Sequence, residues 1–365
     1  MTQSWKKRCA AGEGANRVDS VRGRTVIASC DGQSRVLAER VLRQYREEAG
    51  DGEAGSEPGL MKDIVRRFSD SETCVRIPEH VGGNDVYLFQ TLCDGGGETT
   101  INDRYLSFLI AARAFREHGA SRVTGVVPYL AYARQDKPTR FMREPTTARL
   151  MADLAWNAGL DGLIAWHPHS EQIRGFYGGA AVHLLDPLDF FVDTFRSFRN
   201  DGGAVVVAPD AGASRVAAAL ARALGTANAA AVKFRPRPEK ISSCELVGDF
   251  SDKNTAILVD DIISSGDTLA AVAKKVTDTT GIRRLVIAVS HNLCNPAAVR
   301  VLDELHEHYG LQRMVVTNSI PQTAAFTSRD YVEVKCLSEA LACAIFRIHR
   351  QESLSEVFGR EEAAG

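Results

Sequence analysis

The chain has 365 residues, 44% hydrophobic and 25% charged, a globular composition with room for two domains of about 100 to 200 residues each. A formal net charge of -2 lacks the basic excess usual in general nucleic-acid binders, and no apolar stretch reaches the roughly 18 to 20 residues of a membrane span. The eight cysteines form no C-x-x-C pair and no zinc-ligand spacing, which predicts reduced thiols in a cytoplasmic setting.

Residues 1–23 read as a polar, flexible extension without the apolar core of a secretory signal. RTVIAS (24–29) is the first predicted strand, followed by a helix over 34–45 with Val36, Leu37, Val41 and Leu42 at helical spacing. EEAGDGEAGSEPG (47–59) has no apolar pattern and reads as a surface insertion. DIVRRF (63–68) and DVYLFQT (85–91) are predicted strands. Next come a helix over 104–118, the strand SRVTGVVPYL (121–130), a helix over 146–158 and the strand GLIAW (162–166). A first domain over 24–180 is expected to end there. A second, over 181–345, begins with a helix near 187–198, the strand AVVVAP (204–209), a helix over 214–224 and the strands NAAAVKF (228–234) and TAILVDD (255–261). After a further helix it continues with RRLVIAVSH (283–291), a helix over 297–308, MVVTNS (314–319) and VEVK (332–335), leaving 346–365 as a tail. Strands alternating with helices predict an α/β fold, with mostly parallel sheets covered by helices on both faces.

The segment AILVDDIISSGDTLA (256–270) carries the most specific chemistry: an apolar strand ending in Asp260 and Asp261, a turn of Ser264, Ser265, Gly266, Asp267 and Thr268, then a helix. Backbone N–H groups at such a helix start, with the hydroxyls of Ser264, Ser265 and Thr268, suit a single anionic group. Gly266 allows the backbone a close approach. The paired carboxylates could hold vicinal sugar hydroxyls, directly or through Mg²⁺, so a phosphorylated sugar fits both halves. An ordinary capped strand-to-helix turn has the same local appearance.

Three more polar clusters follow predicted strands, where parallel sheets place ligands. They are Tyr132 to Lys137 (YARQDK), His167 to Phe176 (HPHSEQIRGF) and Asp210 to Arg215 (DAGASR). Each also has a plain structural interpretation: a solvated loop, a hydrogen-bonded structural histidine at His169, a helix cap at Asp210.

With these residues in view, the chain resembles the ribose-phosphate pyrophosphokinases, also called phosphoribosyl pyrophosphate synthetases. FSDSET, PYLAYARQDK, HSEQIRGF, APDAGASR, ELVGDF, ILVDDIISSGDT and TNSIPQ occur in the family's order from about residue 24 to 358. The resemblance implies two phosphoribosyltransferase-like domains, the first carrying ATP loops and the second the ribose 5-phosphate loop. It also implies transfer of the β,γ-diphosphoryl group of ATP to the C1 hydroxyl of ribose 5-phosphate, with Mg²⁺, in a homo-oligomer such as a hexamer or its dimer unit. Neither nucleic acid nor membrane is an implied partner. By match to the family, Ser264 to Thr268 hold the 5-phosphate and Asp260 and Asp261 the ribose hydroxyls. His169 and Asp210 match magnesium positions. Phe68, Asp70 and Glu72 match the adenine loop, and Arg134 and Gln135, with Asp136 beside them, match the ATP-contacting run. Lys233 and Arg235 stand at the catalytic Lys-x-Arg.

The chain departs from the family pattern at several points. Ser264 replaces an acidic residue, His167 an aspartate, and Asp267 a small residue inside the phosphate cradle. PTRFMREP has Phe141 and Met142 where the family is basic and polar, and HNLCNPAA replaces a Ser-Gly-Pro stretch used for allosteric phosphate. These departures keep open a second interpretation, a catalytically weak paralogue that regulates or co-assembles with an active synthetase.

Overall fold

A computed structural model describes residues 23–49, 58–97, 99–234 and 243–358. The expected extension at 1–23 lies, apart from its last residue, outside the described residues, as does most of the insertion at 47–59; the helix that precedes the insertion runs on to Ala49. No described helix is long and apolar enough to cross a membrane.

The chain divides into two compact units, one formed by the described residues up to Asp186 together with those from Cys336 onward, the other by Pro187–Lys335. In the first, β1 (Thr25–Ser29) leads into α1 (Gly32–Ala49) and β2 (Gly59–Met61). A small antiparallel hairpin, β3 (Val65–Arg67) and β4 (Thr73–Val75), precedes β5 (Asp85–Phe89). Then come α2 (Ile101–Glu117), β6 (Arg122–Val126), α3 (Thr147–Ala158), β7 (Gly162–Trp166) and β8 (Ala181–Leu185). The sheet order is β2-β1-β5-β6-β7-β8, and every neighbouring pair is parallel. All residues of β1, β5 and β7 are buried. Coverage on both faces explains why these strands are continuous apolar runs instead of alternating ones.

The second unit starts with α4 (Leu188–Thr194), β9 (Ala204–Ala208), α5 (Ser214–Leu224), β10 (Ala227–Phe234), β11 (Ser243–Gly248) and β12 (Thr255–Ile263). It continues with α6 (Asp267–Thr279), β13 (Arg284–Asn292), α7 (Pro296–His308), β14 (Leu311–Thr317), α8 (Ala324–Thr327) and β15 (Val332–Lys335). Its sheet runs β11-β10-β9-β12-β13-β14-β15, parallel except for the β10–β11 pair. Val205, Val207, Leu258, Ile287 and Met314 are buried from the sheet, and Leu269, Val276, Leu302 and Leu305 from α6 and α7. The α/β class with mostly parallel sheets is therefore as the sequence patterning predicts.

The domain boundaries differ from the expected 180/181 and 345/346. β8 pairs with β7, so the first unit runs to Asp186. After β15 the chain returns to it through α9 (Ser338–His349), part of which had been assigned to the tail. The cause is composition. Residues 340–345 (ALACAI) are all buried, and a helix that is apolar nearly all round has to be enclosed rather than laid on a surface. α9 packs on α1, where the Phe346 ring meets Tyr45 edge-on at 5.7 Å. At its end, buried His349 bonds through Nδ1 to Oδ2 of fully buried Asp85, 2.9 Å away.

Candidate active site

In an open parallel sheet, ligands sit beyond the carboxyl ends of strands where the strand order reverses. In the second unit that point lies between β9 and β12, with β10 next to β9. β9 ends at Ala208 and delivers Asp210, and β12 delivers Asp260 and Asp261. Asp210 Oδ1 accepts from the Gly212 N–H at 3.0 Å and the Ala213 N–H at 3.3 Å, and the Ser214 hydroxyl bonds its carbonyl at 3.1 Å. Asp210 thus shapes the turn before α5 and does not cap the helix, whose N-cap is Ala213 without a side-chain cap bond.

Asp260 is 8% exposed, and its Oδ1 accepts the Asp261 N–H at 2.9 Å. Burial, then the charges of Asp261 and Asp210, push its carboxyl well above the usual range. Three carboxylates at the ends of two neighbouring strands leave an excess of negative charge on oxygen donors. A hard divalent cation or sugar hydroxyls would neutralise it. Among the described residues, no group of three or more His, Cys, Asp or Glu side chains could hold a metal ion alone. Mg²⁺ that keeps water and phosphate oxygens needs only one or two carboxylates, so this donor set fits it.

Beyond β12 the chain turns through Ser264 and Ser265 to Gly266, whose φ of +88° lies in the left-handed region. A Cβ on Gly266 would stand 3.2 Å from Val301 Cγ1 and 3.4 Å from Ala298 Cα of α7, so glycine is needed here on both counts. α6 starts at Asp267, and the first N–H groups of any helix lack intrahelical acceptors. Ser264 and Thr268 are half-buried beside these amides. The Ser265 hydroxyl donates to Asp267 Oδ2 at 2.7 Å. The Leu293 N–H bonds the Ile263 carbonyl at 3.1 Å and fastens the segment after β13 to this turn.

Sequence reasoning marked that segment, HNLCNPAA, only as a departure. The structure makes it a polar network: His291 Nδ1 lies 2.8 Å from the Ser319 hydroxyl, Asn292 Nδ2 donates to Gln322 Oε1 at 2.8 Å, and the Cys294 N–H donates to Asn292 Oδ1 at 3.0 Å. The histidine, serine and glutamine side chains clustered after two strands were the available signal. Lys233 lies near the end of β10, its backbone opposite Cys244, but its side chain lies outside the described residues, as does Arg235 altogether.

In the first unit, Phe68, Asp70 and Glu72 occupy the exposed tip of the β3–β4 hairpin. The Phe68 N–H bonds the Glu72 carbonyl at 2.9 Å, and Asp70 Oδ1 accepts the Glu72 N–H at 3.0 Å, so backbone and side-chain bonds shape the tip. Phe68 is 56% exposed and presents a ring that could stack on a base. Arg67 paired with Asp103 at 3.7 Å anchors the hairpin to α2.

Arg134 and Gln135 are exposed in the loop after β6. Tyr132, at a φ of +65°, bonds Asn102 through its hydroxyl, and the Ala148 N–H donates to the Gln135 carbonyl at 3.2 Å. Asp136 behaves differently from its exposed neighbours. It is 8% exposed and accepts from Gln172 Nε2 at 2.5 Å, which ties this loop to the one after β7. Burial raises its carboxyl pKa, but hydrogen bonds from Gln172 and Ser170 and the charges of Lys137 and His169 outweigh burial and hold it below the usual range. Its role is to join the loops rather than to face outward. His169 is exposed, and His167, buried at a φ of +38°, is the histidine set into the fold.

The first unit's own strand-order reversal, between β1 and β5, holds a residue that sequence reasoning missed. Arg104 of α2 is 5% exposed and donates to Asp31 Oδ2 and Asp94 Oδ2, each at 2.6 Å, and to the Thr91 carbonyl at 3.3 Å. Its place on the buried face of an amphipathic helix was the only signal.

Residues 19–159 match the family described as the N-terminal domain of ribose phosphate pyrophosphokinase, and residues 226–359 match the phosphoribosyl synthetase-associated domain. Ribose-phosphate pyrophosphokinase 2 of Schizosaccharomyces pombe is 35% identical over 302 residues, 82% of this chain and 90% of that protein. The ribose-phosphate pyrophosphokinase of Vibrio cholerae is 34% identical over 295 residues, 80% of this chain and 90% of its own length. The crystal structure of phosphoribosylpyrophosphate synthetase from Mycobacterium smegmatis superposes with a TM-score of 0.75 and 27% identity, covering 90% of this chain and 99% of that one. Two mostly parallel sheets with a glycine-turned cradle at the second sheet's reversal, and relatives alike over most of their length, lead to one conclusion: the chain belongs to the ribose-phosphate pyrophosphokinase family.

Proposed function

We propose that the protein transfers the β,γ-diphosphoryl group of ATP to ribose 5-phosphate, giving 5-phosphoribosyl 1-pyrophosphate and AMP. The observation that carries this reading is the pairing of Asp260 and Asp261 with the cradle of Ser264 to Thr268 at one sheet reversal, in a chain of this family. The cradle amides and hydroxyls would take the 5-phosphate, and the two aspartates the ribose hydroxyls. Phe68, Asp70 and Glu72 would receive adenine, and Arg134 and Gln135 the ATP phosphates.

The C1 hydroxyl oxygen forms a bond to the β-phosphorus as the bond from that phosphorus to the α,β-bridging oxygen breaks. AMP leaves with the bridging oxygen, and the hydroxyl gives up its proton. The protein's part is to align these atoms and to neutralise charge spreading over phosphoryl oxygens. Lys233 and Arg235 are assigned that electrostatic role. Asp210 and His169 are each assigned to Mg²⁺ binding by match to the family, and the cation would supply further neutralisation. We also assign the protein to the cytoplasm, as a homo-oligomer with no nucleic-acid or membrane partner.

Purified protein incubated with ATP, Mg²⁺ and ribose 5-phosphate, with and without inorganic phosphate, is expected to form AMP and phosphoribosyl pyrophosphate in equal amounts, and to stop when the cation is chelated. Nucleotide binding without either product would refute the proposal and favour a regulatory paralogue.

A further inference from the structure

We infer that Asp267 lowers the phosphate affinity of the sugar-phosphate cradle, acting as an internal carboxylate that holds the Ser265 proton and must be displaced before a phosphate can take it. This inference rests on the assignment of the cradle to ribose 5-phosphate. A serine hydroxyl has one proton to donate, and a phosphate monoester near neutral pH presents mainly acceptors. In the structure that proton points at Asp267 Oδ2 across 2.7 Å, the separation of a charge-assisted bond. A bound phosphate therefore meets a cradle short of one donor and carrying a carboxylate of its own.

The backbone between the two residues has little freedom to relieve this conflict. Gly266 is buried, holds a φ of +88°, and lies where a methyl group would press on the Val301 side chain of α7. Ser265 and Asp267 thus flank a turn of fixed backbone, the Ser265 side chain half-buried and that of Asp267 exposed. Asp267 also occupies the first position of the 13-residue helix α6, where a negative charge is favoured by the helix dipole. The cradle accordingly carries its own anion.

The consequence is a weaker cradle: the Asp267 carboxylate opposes ribose 5-phosphate and inorganic phosphate alike, and the hydroxyls that ribose 5-phosphate brings for Asp260 and Asp261 favour it with or without Asp267.

The test is a double-mutant cycle of wild type, Asp267→Ala, Ser265→Ala and the double variant. Binding of ribose 5-phosphate is measured by calorimetry, and KM, kcat and competition by inorganic phosphate by assay. Asp267→Ala is expected to tighten ribose 5-phosphate binding about tenfold, the size of one hydrogen bond to a charged group, and to strengthen competition by inorganic phosphate about as much. Ser265→Ala is expected to weaken sugar-phosphate binding about fivefold more in the Asp267→Ala background than in wild type, because only there is the hydroxyl released. Additive effects, or weaker binding in Asp267→Ala with unchanged thermal unfolding, overturn the inference and leave the proposed activity standing. Binding that follows the predicted cycle without product formation overturns the activity alone. Absence of ribose 5-phosphate binding in all four proteins overturns both.

Discussion

At the scale of residues, the site divides into groups presented outward and groups turned in to hold them. Phe68, Arg134, Gln135 and His169 are exposed, whereas Asp136 is buried and bonded to Gln172. Adjacent positions in one motif thus take different roles, set by whether a neighbouring loop supplies a donor. Lys233, near the end of the strand beside β9, is the residue most exposed to a decisive test. Lys233→Ala is expected to lower kcat by about 10²- to 10³-fold, the usual cost of losing one preorganised electrostatic group, with ATP affinity largely kept. Steady-state kinetics with calorimetric ATP titration would measure both, and an unaltered kcat would remove Lys233 from the catalytic machinery.

At the scale of elements, the cradle depends on how β12 turns into α6 and how α7 packs against that turn. Gly266→Ala places a Cβ within 3.2 Å of Val301 and forces a left-handed backbone on alanine. Strain of about 1 to 2 kcal/mol is expected from the backbone alone. The measurable outcome is a lower urea midpoint together with a KM for ribose 5-phosphate raised about tenfold or more, since the cradle turn relaxes away from its left-handed conformation. A lower midpoint with unchanged KM would show that the turn serves stability only. The corresponding turn of the first unit is organised differently, because buried Arg104 fills its sheet reversal with a paired guanidinium.

At the scale of the whole molecule, the first unit is completed by a helix from the far end of the chain. α9 closes over α1, and His349 gives buried Asp85 a partner that the carboxylate shares with the Tyr87 hydroxyl at 3.2 Å. His349→Ala is expected to destabilise this unit by about 1 to 3 kcal/mol, the usual cost of leaving a buried polar group short of a hydrogen-bond partner. Chemical denaturation followed by the near-ultraviolet signal would detect it, and an unshifted midpoint would show that α9 is held by apolar packing alone. The sequence by itself determined most strands and helices, the parallel α/β class and the order of the site loops. Apolar runs, glycine turns and helical spacing are local signals, and the strands they mark are buried on both faces. Short strands with weak local patterns, such as β2, β8 and β11, were not legible. Only the tertiary structure decided that α9 belongs with the first unit, that Arg104 fills one sheet reversal, that Asp136 joins two loops and that Asp267 holds Ser265. Each of these depends on which side chains meet once distant or adjoining segments are packed, and hydrogen bonds and ion pairs are chosen by that proximity rather than by local sequence pattern.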